Sequence, residues 1–127
     1  MQTLQNYVVI IFFVLLLQAC NTQADASNNT STHAGHYIYG VEVNVFQPCN
    51  KKDAYWVTGS EKLLTHLVNT HEKLTTKPYE KIFIKFTGSY SAKALDGFAM
   101  DYEGQVKIDK VLELRKVGAG DCTVSKK

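Results

Sequence analysis

Two long runs in which apolar residues recur at every second position set the strongest limit on how this chain can fold. In His36 to Phe46, the residues Tyr37, Tyr39, Val41, Val43 and Val45 share one parity. In Gln105 to Lys116, Val106, Ile108, Leu112 and Leu114 do the same, and Lys110 is the exception to its face. Successive strand side chains point to opposite sides, so a period of two predicts strands with one buried face. Gly40 inside the first run predicts a bulge or bend, which would let one long strand curve and pair on both sides.

Shorter signals fill the space between. Pro48 and Asn50-Lys51-Lys52-Asp53 predict a turn, followed by a short strand over Ala54 to Val57. Thr58-Gly59-Ser60-Glu61 fits the S/T-x-x-E capping box with Thr58 as N-cap, so a helix is expected to start here. Leu63, Leu64, Leu67, Val68 and Leu74 share one helical face, and the helix should end before Lys77-Pro78. Ile82, Ile84 and Phe86 alternate in a strand running towards Lys93, Asp96-Gly97 turns the chain, and a short strand is expected over Phe98 to Tyr102. Five strands and one helix within about 90 residues predict a mainly β fold, a small five-stranded OB-like barrel.

The chain before this region reads differently. Tyr7 to Leu17 is an apolar run of 11 residues, too short for a bilayer core that needs about 20 helical residues. It reads as an export signal. Leu17-Gln18-Ala19-Cys20 resembles the bacterial lipoprotein lipobox, although the segment before the apolar run has no Lys or Arg. That resemblance implies cleavage before Cys20 and acylation of it, and two or more acyl chains hold a protein stably at a membrane. An ordinary signal peptide with an incidental Cys20 is the alternative. Asn21 to Ala34 is small, polar and without apolar periodicity, and reads as a tether. The expected division is a signal peptide over 1–19, the lipidated cysteine and tether over 20–34, the barrel over 35–123, and a tail over 124–127.

The cysteine count fits this division. With Cys20 assigned to lipid, Cys49 and Cys122 remain as a pair in an oxidising compartment, and a disulfide between them is the expected staple. Two free thiols are the alternative.

The barrel region resembles the C-terminal OB-like domain of NlpE-type lipoproteins. The residues that carry the likeness are Tyr37 to Phe46 with Pro48-Cys49, Tyr55-Trp56-Val57, the helix from Leu63 onward, Pro78-Tyr79-Glu80, Ile82 to Gly88 and Gly120-Asp121-Cys122. The resemblance implies an outer-membrane lipoprotein facing the periplasm, with a role in envelope-stress or surface sensing through a protein partner. Asn21 stands where enteric lipoproteins retained in the inner membrane carry Asp, which agrees with that address. The N-terminal domain of that family and its Cys-x-x-Cys motif are absent, so its copper link does not transfer. The usual OB order also puts the helix after the third strand, whereas only two strands are legible before it here.

Few residues invite chemistry. Lys+Arg and Asp+Glu number 14 and 12, a balance that argues against a dedicated nucleic-acid binder. Four histidines offer no metal spacing: His33 and His36 fall in or beside the tether, and His66 and His71 are five apart on the helix, on different faces. They read as surface residues, and no metal or other cofactor is implied. Asp96, Asp101 and Glu103 form an acidic loop without EF-hand spacing. Tyr55 and Trp56 could form a stacking surface, with one expected under the helix and the other exposed. Lys81, Lys85, Lys107 and Lys116 read as solvated lysines guarding strand edges. No nucleophile–base or phosphate-loop pattern stands out, so the expectation is a non-enzymatic binding or signalling module that uses a strand edge or loop. The alternative is a lipoprotein that binds a small ligand or inhibits a cell-wall hydrolase with the Ala94–Glu103 loop.

Overall fold

The computed structural model describes residues 30–123; the expected signal peptide, Cys20, most of the expected tether and the expected tail lie outside the described residues. Five strands, β1 (Ser31–Gly40), β2 (Val43–Pro48), β3 (Tyr55–Thr58), β4 (Lys81–Ser91) and β5 (Gln105–Lys116), form a closed barrel in the order β1-β2-β3-β5-β4. Helix α1 (Glu61–Leu74) connects β3 to β4. All neighbours pair antiparallel except β3 and β5, which run parallel. This is the expected mainly β barrel with one helix, and a disulfide joins Cys49 to Cys122, with Cα atoms 4.6 Å apart.

The first alternating run is two strands, not one. The chain reverses at Val41-Glu42, and Gly40 pairs with Val43. Glu42 takes a left-handed φ of 60°, a position usually given to Gly or Asn, so the turn carries no sequence signal. Splitting the run puts three strands before the helix and restores the usual OB order. The glycine that double-sided pairing crowds in β1 is Gly35. There the strand pairs with Pro48 and Ile84 at once, and a Cβ would collide with the Gln47 carbonyl.

β1 also begins earlier than expected, so residues 31–34 belong to the barrel rather than the tether. They pair with Lys85–Gly88, which supplies the hydrogen bonds that a solvated tether would take from water.

The Lys110 exception has a physical cause. The β4–β5 register shifts twice, leaving Asp109 and Leu112 as extra residues in β5. Each bulge reverses the parity, so Val106, Ile108, Val111 and Leu114 face the core while Lys110 and Leu112 face outward. Gly88, opposite the first bulge, lies so close to the Lys107 carbonyl that no Cβ fits.

Two smaller expectations are corrected. The helix cap is Ser60, whose Oγ accepts from the Leu63 amide at 3.3 Å, because Thr58 is held in β3 and donates to the Val106 carbonyl. Phe98–Asp101 is a 3-10 turn and not a strand. Gly97 at φ 65° starts it, and the amide bonds Met100→Gly97 and Tyr102→Ala99 close it.

The core is built from Tyr37, Phe46, Val57, Ile82, Ile84, Phe86, Val106 and Ile108, with Leu67 from the helix packed against them. Tyr37 is fully buried, and its hydroxyl donates to Asn44 Oδ1 at 2.7 Å. Burial, and secondarily the neighbouring Tyr39, raises its pKa well above the usual phenol value. Among the described residues no helix is long and apolar enough to cross a membrane.

Candidate functional site

A concavity lies where the end of α1 meets the β1–β2 turn. It is a cleft of about 380 Å³ between Tyr39, Gly40 and Val41 on one side and His71, Glu72 and Thr75 to Pro78 on the other. That volume falls within the range of ligand pockets, about 300–1,000 Å³.

His71 forms its inner wall. One helical turn after Leu67 it lies on the same inward stripe, and it is 2% exposed, the one buried polar or charged side chain among the described residues. This corrects the expectation of a surface histidine. The Glu80 carbonyl accepts from Nε2 at 2.8 Å, so that nitrogen carries a proton. The ring meets Tyr37 and Tyr39 edge-on, each at 5.9 Å between centroids. A polar side chain is retained in this stripe because the turn after the helix offers a backbone carbonyl that needs a donor.

The outer wall, Thr75 to Glu80, is tied at every step. Thr75 Oγ1 donates to the His71 carbonyl at 2.8 Å. The Glu80 carboxylate accepts from the amides of Thr76 and Lys77, at 2.7 and 3.3 Å, and these bonds, led by Thr76, hold its pKa below the usual carboxylate value. Tyr79, at φ 68°, donates its amide to the Tyr39 carbonyl and its hydroxyl to the Val41 carbonyl. Its ring lies directly on Gly40, where a Cβ would not fit. Gly40 is thus required by close approach of this ring, not by a bulge.

The residues singled out from the sequence lie elsewhere, around β3 and the loop joining β4 to β5. Tyr55 and Trp56 are both half-buried, instead of one packed and one exposed. Tyr55 meets Tyr90 of β4 at 4.6 Å between centroids, and Trp56 meets Tyr102 at 5.7 Å where the β4–β5 loop folds back over β3. Burial, and then the neighbouring Tyr55, raise the Tyr90 pKa to about 12. His33, expected in the tether, sits in β1 with its ring 4.8 Å from Tyr90 and 5.3 Å from Phe86.

Asp96, Asp101 and Glu103 are exposed, and among the described residues no three His, Cys, Asp or Glu side chains come together as metal ligands. Lys81, Lys85, Lys107 and Lys116 are exposed; Lys85 and Lys107 are paired on both sides, so they guard no edge, whereas Lys81 pairs with β1 alone and Lys116 with β4 alone.

The cleft therefore offers a fixed shape with hydroxyl, carboxylate and ammonium groups at its rim. Sequence reasoning missed it because its two walls are thirty residues apart in the chain. The one signal available was the phase of His71 with Leu67. No family model matches the chain, and no curated protein or solved structure shows significant similarity to it.

Proposed function

We propose that this protein is a non-enzymatic binding module, anchored in a bacterial envelope by lipid on Cys20, that engages an envelope protein through the cleft between the β1–β2 turn and residues 75–78. The NlpE-type resemblance points to an outer-membrane, periplasm-facing location and to stress or surface sensing. The observation that supports the reading best is the prebuilt outer wall, with Glu80 and Tyr79 fixing its backbone before any ligand arrives. A wall already ordered spares a partner the entropy of ordering it.

The test is in-cell photocrosslinking from position 72 or 77 in the full-length lipoprotein. A specific adduct from the cleft, absent from a probe at exposed Lys85 and lost in a Thr76→Trp variant that fills the cleft, is the expected result. Equal labelling from position 85 would overturn the assignment of the cleft. A small-molecule ligand is the second reading, favoured by the cleft's volume; it predicts no protein adduct and a co-purifying ligand released on unfolding.

A further inference from the structure

Several of the most exposed large apolar side chains cluster on the loop between β4 and β5. Leu95 is 95% exposed, Phe98 51% and Met100 48%. Its base is built into the barrel: the Trp56 amide donates to the Gly104 carbonyl at 2.9 Å, the Glu103 amide to Ala54 at 3.1 Å, and Gln105 Nε2 to the Ala92 carbonyl at 3.2 Å. The barrel therefore holds the base of the loop, and the apolar side chains at its tip stand out in solvent, a costly arrangement unless something covers them.

The position of this tip relative to the chain's start indicates what covers it. Ser31 pairs with Gly88, three residues before β4 ends and the loop begins. The chain leading back to Cys20 thus leaves from the end of the barrel that carries the loop. Ten residues separate Cys20 from Thr30, a reach of at most about 35 Å. At the base of the loop lie two aromatic pairs, Trp56 with Tyr102, both half-buried, and half-buried Tyr55 with exposed Tyr90. Trp and Tyr at the base of an apolar tip is the arrangement favoured at a membrane–water boundary. The cleft sits at the other end of β1, beside Gly40, about 30 Å away along the strand.

We propose that Leu95, Phe98 and Met100 form a second membrane contact, dipping into the outer part of the bilayer that holds the lipid on Cys20 and turning the cleft away from the surface. The proposal rests on the lipid-anchor reading. The loop's charges, Lys93, Asp96, Asp101 and Glu103, are mostly negative, so the contact is apolar and suits a zwitterionic surface. Three such side chains add to an anchor and orient the barrel; without the anchor they do not hold it at the bilayer.

The test uses the mature acylated protein in phosphatidylcholine vesicles, with Trp56→Phe removing the one native tryptophan. Phe98→Trp places a probe at the tip and Glu72→Trp a probe at the cleft, each checked for a native thermal transition. Bromine on the acyl chains should quench more than about half of the emission from position 98 and little of that from position 72, at low and high salt alike. No quenching at 98 in protein that sediments with vesicles overturns the contact, as does equal quenching at both positions. A shift at 98 that depends on protein density without quenching assigns the tip to a second copy or another protein, and also overturns it. The anchor is read separately, by mass: a mature protein without acyl chains overturns the anchor and this contact with it.

Discussion

Asp121 grips Arg115 with both carboxylate oxygens, Oδ2 on Nη1 at 2.6 Å and Oδ1 on Nη2 at 2.7 Å, one residue before the disulfide at Cys122. Arg115 stands in an outward row with Phe83 and His36, paired in register across β5, β4 and β1. Its guanidinium lies 4.3 Å from the centre of the Phe83 ring. Phe83 is 7% exposed although it points away from the barrel interior between Ile82 and Ile84. The terminal segment thus covers an outward phenylalanine, and the Asp121–Arg115 pair fixes it there.

The same pair gives the fold an acid limb. The bonds from Arg115, then from the Gly118 amide, lower the Asp121 pKa from 3.8 to about 2. The fold favours the ionised carboxylate, so the unfolded chain takes up the proton first as pH falls. The stabilisation is complete above the ordinary carboxyl value, declines between about 4 and 2, and is gone below both. In thermal melts across that window, Asp121→Asn should be less stable than the native protein at neutral pH, and the two should converge near pH 2. A constant gap would assign the loss to something other than this charge.

The disulfide makes a further prediction. Cys49 and Cys122 are 73 residues apart in sequence, and closing so long a loop stabilises by roughly 4 kcal/mol on a chain-entropy estimate. Cys49→Ala and Cys122→Ala should each lose about that amount in denaturant unfolding, and the double variant little more, because one bond is lost in each case. Additive losses would contradict this.

Much of the barrel was legible because period two survives wherever one face is buried: Ile82, Ile84 and Phe86 in β4, and Val106 and Ile108 in β5, lie in the core as their spacing implies. Legibility failed where tertiary contacts override local signals. The Val41-Glu42 turn is held by Tyr79 from thirty-eight residues away, its hydroxyl bonded to the Val41 carbonyl, and no turn residue marks it. The first β5 bulge is answered by Gly88 on the neighbouring strand, which the sequence of β5 alone does not contain. The cleft was invisible for the same reason, since it exists only once residues 39–41 and 71–78 meet.

Glycines in those crowded places should not tolerate a methyl group. Gly35→Ala would press a Cβ on the Gln47 carbonyl and the Phe46 ring, and Gly88→Ala on the Lys107 carbonyl. Each should cost about 1–3 kcal/mol, the usual range for overpacking. Gly120→Ala meets nothing within 4 Å and should change stability by less than about 0.5 kcal/mol. Denaturant midpoints of the three variants check this ordering, and equal midpoints would refute it.

His71 makes the sharpest test of how the cleft is built. Its Nε2 serves the Glu80 carbonyl, and its ring separates Tyr37 and Tyr39 from the turn after the helix. His71→Leu keeps most of the volume but removes the donor, so a half-buried carbonyl loses its partner at a cost of about 1–3 kcal/mol. The loss should not stay local. The Thr75–Glu80 wall hangs between this bond and the Tyr79 contacts, so the amides of Thr76, Lys77 and Tyr79 should exchange hydrogen faster in the variant, while β4 and β5 amides beyond Gly88 stay protected. His71→Gln, which restores a donor, should recover part of both effects. Uniformly faster exchange across the barrel would instead make His71 a general core residue, with no special part in holding the wall.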